Sequence, residues 1–275
     1  MRNCYGCSQA LHAFPASLSM PSSQRKDILQ VISIHKVPSH LSKEDFEAKY
    51  VALLDEFLLM PQFERNLLKL EIMFQNDRFD EHLGSYGVPP REPVLVATAE
   101  LESFDNLLAI LSDTEVQQKI KHAEDFGLQS GASAFSIDVE SKIERDSPLS
   151  VGDRVHIMAI YKVPGGMSTE QYGKGHGTFL EDYAAIPAVQ NNLVKLEKWT
   201  QNNALDEHLH MVGYSRPEPT FIIHGELETW KNVVEFQDAE SRKVALTANE
   251  NFGLYTQACV FTADVVTKLD KSKAV

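Results

Sequence analysis

Asn66-Leu67-Leu68-Lys69-Leu70-Glu71 and Asn192-Leu193-Val194-Lys195-Leu196-Glu197 are almost the same phrase written twice, 126 positions apart. Working outward in that register, no gap is needed. Asp27 falls on Asp153, Lys36-Val37-Pro38 on Lys162-Val163-Pro164, and Asp80-Glu81-His82-Leu83 on Asp206-Glu207-His208-Leu209. Further on, Glu92-Pro93 falls on Glu218-Pro219, Glu100-Leu101-Glu102 on Glu226-Leu227-Glu228 and Phe126-Gly127-Leu128 on Phe252-Gly253-Leu254. A period of this length is far beyond that of a solenoid repeat, so each copy is expected to be a domain-sized unit. The chain divides into an irregular tail at 1–26, a first repeat at 27–144 and a second at 153–270. The stretch 141–152, with Pro148 and mixed charges, reads as the linker.

Each copy opens with a β-rich run, 28–37 or 155–163, bounded by proline. Ser42 and Ser168, followed three positions on by Asp45 and Gln171, have the pattern of helix caps. The stripes Phe46, Tyr50, Leu54, Phe57 and Tyr172, His176, Leu180, Tyr183 then give an amphipathic helix. Two strands follow, at 66–74 and 94–101 or at 192–200 and 220–227. A second helix over about 103–125 or 229–251 is broken near Ser112-Asp113 and Asp238, and a last strand lies at 132–139 or 258–266. This βαββαβ order is the ferredoxin-like unit, with both helices on one face of an antiparallel sheet. The strands are apolar on both sides (Val31 beside Ile32, Ile157 beside Met158), so the other face needs cover. The expected fold is α+β: two tandem units packed sheet to sheet as a pseudo-dimeric α+β barrel, monomeric because one chain supplies both halves.

With 26 Lys+Arg against 39 Asp+Glu, the formal charge of −13 disfavours nucleic acid and anionic membranes as partners. A composition of 43% hydrophobic and 24% charged residues, without a long apolar run, is that of a soluble globular protein. Three cysteines make no disulfide framework and point to a reducing, cytoplasmic setting. Cys4, Cys7 and His12 have zinc-like spacing but lack a fourth ligand. No metal or cofactor is expected, and G-x-S-x-G, GxGxxG, P-loop and H-E-x-x-H motifs are all absent.

The run 157–162, the helix segment Tyr172-Gly173-Lys174-Gly175-His176 and the pair Asn251-Phe252, with Asp113-Thr114-Glu115 and Asp125-Phe126 in the first copy, carry a further signal. On these residues the chain resembles the dimeric α+β barrel superfamily over 27–270, most closely its EthD-like branch of microbial secondary metabolism. That superfamily includes polyketide cyclases, decarboxylases, cofactor-free monooxygenases, haem enzymes and stress proteins, so the fold alone does not name a reaction. Tyr50 stands where the family has His, so the resemblance implies a working pocket in the second copy.

His176, on the buried stripe, is the expected general acid/base; the alternative is a core histidine satisfied by a backbone carbonyl. Tyr161, whose counterpart is His35, ends a strand and can donate to a developing oxyanion, or simply put its hydroxyl in water. His224 and Glu226 share a strand face, where a carboxylate can orient an imidazole; a salt-bridge ladder is the alternative. His208, kept as His82 in the first copy, either contacts substrate or tethers its loop. Trp199 and Tyr214, against Met73 and Val88, give an aromatic cavity together with Tyr172. The expected catalytic set is His176, Tyr161 and His224, with Trp199, Tyr214, Tyr172, His208 and Glu226 binding a small-molecule substrate. These residues suggest a cofactor-independent lyase, cyclase or isomerase acting on a polyketide-like or aromatic compound. The alternatives are a non-catalytic binding or stress-type protein and a cofactor-free oxygenase.

Overall fold

Residues 28–86, 88, 92 and 94–271 are described by the structure, a computed structural model. The tail with Cys4, Cys7 and His12 and the turn position Gly87 lie outside these residues. The first half contains β1 (Leu29–Lys36), α1 (Lys43–Leu58), α2 (Pro61–Asn66), β2 (Leu67–Asn76), α3 (Asp80–Leu83), β3 (Val94–Leu101), α4 (Phe104–Leu111), α5 (Thr114–His122) and β4 (Ala132–Glu144). The second contains β5 (Val155–Lys162), α6 (Thr169–Ala184), α7 (Pro187–Asn192), β6 (Leu193–Asn202), α8 (Asp206–Met211), β7 (Thr220–Leu227), α9 (Trp230–Phe236), α10 (Ala239–Phe252) and β8 (Ala258–Asp270).

Local chemistry sets these boundaries. Ser42 and Ser168 accept hydrogen bonds from the backbone of Asp45 and Gln171 at 3.0 and 3.1 Å, capping α1 and α6 as expected. The breaks at Ser112-Asp113 and Asp238 occur because each aspartate caps a new helix, α5 or α10. Pro61 and Pro187 start the short α2 and α7, helical turns that the strand-like pattern around them hid. β4 runs on to Glu144, which pairs with Lys195, so the connection between halves is shorter than the expected linker.

The eight strands of the described residues form one closed barrel in the order β1-β3-β2-β8-β5-β7-β6-β4. The chain is thus α+β, with two ferredoxin-like units closed into a pseudo-dimeric barrel. The two sheets also join edge to edge. Antiparallel seams β2–β8, with Met73 opposite Val265, and β4–β6, with Val139 opposite Trp199, leave no strand edge free in the barrel. Alternation then explains the two-sided apolar pattern. His156, Met158 and Ile160 face the lumen, filled by Ile32, Phe135, Ile222 and Phe261, while Ile157, Ala159 and Tyr161 face the outer helices.

The halves also exchange arms. Phe79, Leu83 and Tyr86, around α3 of the first half, join the core between sheet and helices of the second. Leu205, Leu209 and Tyr214, around α8 of the second, join the equivalent core of the first.

Candidate functional site

A cavity of about 100 Å³ lies between the sheet and helices of the second half. Tyr161 from β5, Phe179 and Tyr183 from α6, Tyr255 before β8, and Tyr86 from the exchanged arm are among its walls. His176 sits directly behind two of these. Its ring is 5.1 Å from Tyr161, edge-on, and 6.3 Å from Phe179, centroid to centroid. Phe221 and Tyr172 pack on it at 5.3 and 6.2 Å. Glycines let α6 come this close: a Cβ at Gly173 would meet the Phe221 ring at 3.1 Å, and one at Gly175 the Phe252 ring at 3.2 Å.

His176 is fully buried, and neither ring nitrogen has a hydrogen-bond partner. Buried polar atoms are nearly always paired, because an unpaired one costs roughly 1–3 kcal/mol. Burial, with the Lys198 charge as a second cause, pulls its pKa down to about 3 and keeps the imidazole neutral. Burial pushes the phenols of Tyr161 and Tyr183 well above their usual value, with neighbouring tyrosines adding to it, so both remain donors. Tyr172 is buried against His176, with its hydroxyl 3.5 Å from the Leu254 carbonyl, and holds the ring rather than lining the cavity.

Tyr161, His176 and Tyr172 are therefore brought together, and the other expected residues are not. His224, Glu226 and Trp199 lie on the lumen face of the sheet, because residues one strand position apart point to opposite sides. The expected His176–Tyr161–His224 constellation is corrected on this ground: the β-sheet itself separates His224 from the other two. Tyr214 packs in the core of the first half and His208 lies edge-on to Phe104 there, at 4.9 Å, both carried across by the exchanged arm. The tethering alternative for His208 fits that contact. Its counterpart His82 lies 6.1 Å from Trp230 of the second half.

The sequence reading missed Tyr86, Tyr183 and Tyr255 as cavity residues and His156 and Glu197 in the lumen. Tyr183 stood on the buried stripe and His156 alternates in phase with Met158 and Ile160, so both carried a signal; Tyr86 arrives from the other half and carried none.

On the lumen face a larger, polar cavity of about 680 Å³ opens at one end of the barrel. His156 Nδ1 lies 3.1 Å from His224 Nε2, and His156 Nε2 lies 2.7 Å from the Val151 carbonyl. Arg154 Nη1 meets Glu226 at 2.6 Å. Glu197 accepts from Trp199 Nε1 at 3.0 Å and pairs with Lys195 at 2.7 Å. Burial alone would raise the Glu197 pKa, but His224 and Lys195 outweigh it and bring it to about 2.

No protein-family profile and no curated protein sequence matches the chain. Among solved structures it is similar to an anthrone oxidase-like protein, at 11% identity and a TM-score of 0.57, over 90% of this chain and 96% of that one. It is also similar to a candidate monooxygenase from Fusobacterium nucleatum subsp. nucleatum, at 7% identity and a TM-score of 0.50, over 86% and 92%. At these identities the likeness establishes the α+β barrel fold.

Proposed function

We propose that the chain is a small-molecule enzyme using acid–base chemistry in the helix-side cavity of its second half, on an enolisable aromatic or polyketide-like compound. The observation that carries this reading is His176, fully buried, neutral and without a partner on either ring nitrogen, behind a wall of tyrosines. A neutral imidazole in an apolar setting takes a proton only where a new negative charge forms beside it, and deprotonation of a bound enol or phenol supplies that charge. Tyr161, held neutral by burial, donates to the oxygen on which the charge develops. No cofactor is needed for that step.

The cavity is smaller than the roughly 300 Å³ from which pockets for drug-sized ligands begin. Substrate entry therefore parts Tyr161 from Phe179, which both enlarges the space and uncovers His176.

After proton removal, elimination or ring closure gives the lyase or cyclase reading. The descriptions of the two similar structures favour a second reading, in which the carbanion reacts with dioxygen. There an activated CH2 loses its proton to His176, a C–O bond forms to give a hydroperoxide, and loss of water leaves C=O; one O2 is reduced by four electrons, to the carbonyl oxygen and to water.

The test is turnover of anthrone and of enolisable phenolic ketones by the full chain, with oxygen uptake followed at an electrode. Turnover that is lost in a folded His176→Ala variant supports the proposal, and oxygen consumed in step with product selects the oxygenase reading. Turnover unchanged in His176→Ala would falsify the assignment. Saturable binding without any turnover would make the protein a carrier.

A further inference from the structure

We propose that α6 is jointed at Gly177 and that its C-terminal half swings outward to admit substrate to the cavity beside His176, with Phe179 as the door. The purpose of this movement rests on the acid–base reading above; the joint itself does not.

Three glycines stand at alternate positions inside this 16-residue helix, Gly173, Gly175 and Gly177, where α1 has Glu47, Lys49 and Val51. Glycine inside a helix gives up more backbone freedom on ordering than any other residue, so each position needs a packing reason. Gly173 and Gly175 have one, since the Phe221 and Phe252 rings crowd the places of their missing Cβ atoms. Gly177 has none: beyond the helix's own backbone, a Cβ there would meet nothing within 4 Å. The next residue loosens the helix at the same point. The Thr178 hydroxyl donates to the Lys174 carbonyl at 3.2 Å, a side-chain bond that competes with the backbone ladder and bends helices. The first half has Val51 and Ala52 at these two positions.

The joint divides α6 by function. Tyr172 and His176 lie on its N-terminal side, pinned by Phe221 at 5.5 and 5.3 Å between ring centroids and, for Tyr172, by Phe252 at 5.6 Å. Phe179 and Tyr183, two walls of the cavity, lie on the C-terminal side with their rings 5.4 Å apart. That side ends at Ala184, before Pro187 begins α7, so it has a break at each end. A tilt about Gly177 therefore moves the walls and leaves His176 in place, and reburial of Phe179 and Leu180 draws the segment back.

Phe179 also shows where the door leads. A groove of about 520 Å³ runs between α6 and α10, over Gly175, Thr178, Ala248 and Phe252. Among the described residues, Phe179 alone lines both this groove and the inner cavity. With its ring moved the two spaces join, and together they exceed the roughly 300 Å³ from which ligand pockets begin.

Backbone hydrogen exchange reads the joint without a ligand. A tilt breaks the helical hydrogen bonds that span it, from the N–H groups of residues 178–181 to the carbonyls four positions back. Protection of these amides should be at least about tenfold below that of residues 52–55 in α1, and insensitive to dilute urea, as in a local opening. Gly177→Ala, for which there is room, should raise it about fivefold, the difference in helix propensity between the two residues. Entry is read by stopped-flow quenching of tyrosine fluorescence with anthrone under nitrogen. Association should slow about fivefold in Gly177→Ala and stay unchanged in Gly165→Ala, in the loop before α6. In a Phe179→Ala background, where the door is gone, Gly177→Ala should no longer slow it. Equal protection in the two helices, or protection at 178–181 unmoved by Gly177→Ala, overturns the joint. Association unmoved by Gly177→Ala overturns the entry path. A wild type that binds no anthrone counts against the acid–base reading alone, and hydrogen exchange then decides the joint by itself.

Discussion

In the first half a histidine on the strand meets a tyrosine on the helix; in the second a tyrosine on the strand meets a histidine on the helix. His35 is the counterpart of Tyr161, and Tyr50 is the counterpart of His176. The partners have changed places while the pair has been kept. In the first half it has closed on itself, with the Tyr50 hydroxyl 3.1 Å from His35 Nε2 and the rings 4.7 Å apart. In the second the rings pack edge-on at 5.1 Å and both nitrogens of His176 stay unpaired. The cavity tyrosines sharpen the contrast, because Tyr86, Tyr183 and Tyr255 correspond to Val212, Phe57 and Gln129. The first pair satisfies one of its two ring nitrogens, leaving only His35 Nδ1 unpaired, and is part of a core. A pair left open beside a cavity keeps its hydrogen-bonding capacity for something else.

The largest expected effect tests which half works. His176→Ala lowers turnover by roughly two to four orders of magnitude, the range for loss of a general acid–base group, while Tyr50→Phe leaves turnover almost intact. Both are measured as kcat on protein shown to be folded by circular dichroism. The reverse pattern breaks the comparison and moves the active cavity to the first half.

Acid stability treats the halves alike. Burial depresses both His35 and His176 to about 3, with the Leu128 backbone opposing it weakly at His35 and the Lys198 charge adding to it at His176. An unfolded histidine titrates near 6.5. Between these values the unfolded chain binds protons that the folded chain refuses. Stability is therefore whole above about pH 6.5 and declines as pH falls toward 3, by about 1.4 kcal/mol per pH unit for each residue. Urea unfolding at stepped pH should show a shallower acid limb for His35→Gln and for His176→Gln, by similar amounts. A slope unchanged in His176→Gln means that the residue is hydrated and that the dry cavity reading is wrong.

Between pH 7 and 8, stability should separate the closed pair from the open one. Tyr50→Phe removes the partner of a buried nitrogen and costs about 1–3 kcal/mol. Tyr161→Phe costs close to nothing, since the Tyr161 hydroxyl makes no hydrogen bond among the described residues. Equal costs would show that the second pair is also engaged.

The barrel was legible in the sequence because duplication prints every element twice, and because strands apolar on both faces have to be covered on both. Capping serines and aspartates fixed the helix starts. The site was legible only in part. His176, Tyr161 and Tyr172 could be joined because helical spacing and strand phase put them on facing surfaces. His224 was joined to them wrongly: strand phase gives a side chain's face relative to its own strand, and the faces of different strands are matched only by register, here Met158 opposite His224 and Tyr161 opposite Phe221. Tyr214 and His208 were misplaced for another reason. The exchanged arms pack each loop on the opposite half, and a perfect repeat reads the same whether its loops stay home or cross.

The smallest expected effect concerns the feature most nearly identical in the two halves, the aspartate that restarts the second helix. Asp113 Oδ1 accepts from Glu115 N and Val116 N at 2.9 and 3.1 Å, whereas Asp238 Oδ1 accepts only from Ser241 N, at 2.8 Å. Loss of such a cap costs about 0.5–2 kcal/mol. Each half has a further tie across that turn: in the first Gln117 Nε2 donates to the Leu111 carbonyl at 2.8 Å, and in the second the buried Ser241 hydroxyl donates to the Phe236 carbonyl at 2.7 Å and lies 3.0 Å from that of Asp238. None of these ties uses the aspartate carboxylate, so the halves differ in the number of backbone N–H groups left uncapped when it is removed: two at Asp113 and one at Asp238. Asp113→Ala should therefore fall in the upper part of the range and Asp238→Ala in the lower, a difference of about half a kcal/mol by urea unfolding. A larger cost at Asp238 would mean that α10, which carries cavity residue Ala245, is held mainly by its cap. In that case the wall of the working cavity would be its weakest element, and substrate entry would proceed by release of α10 rather than by parting Tyr161 from Phe179.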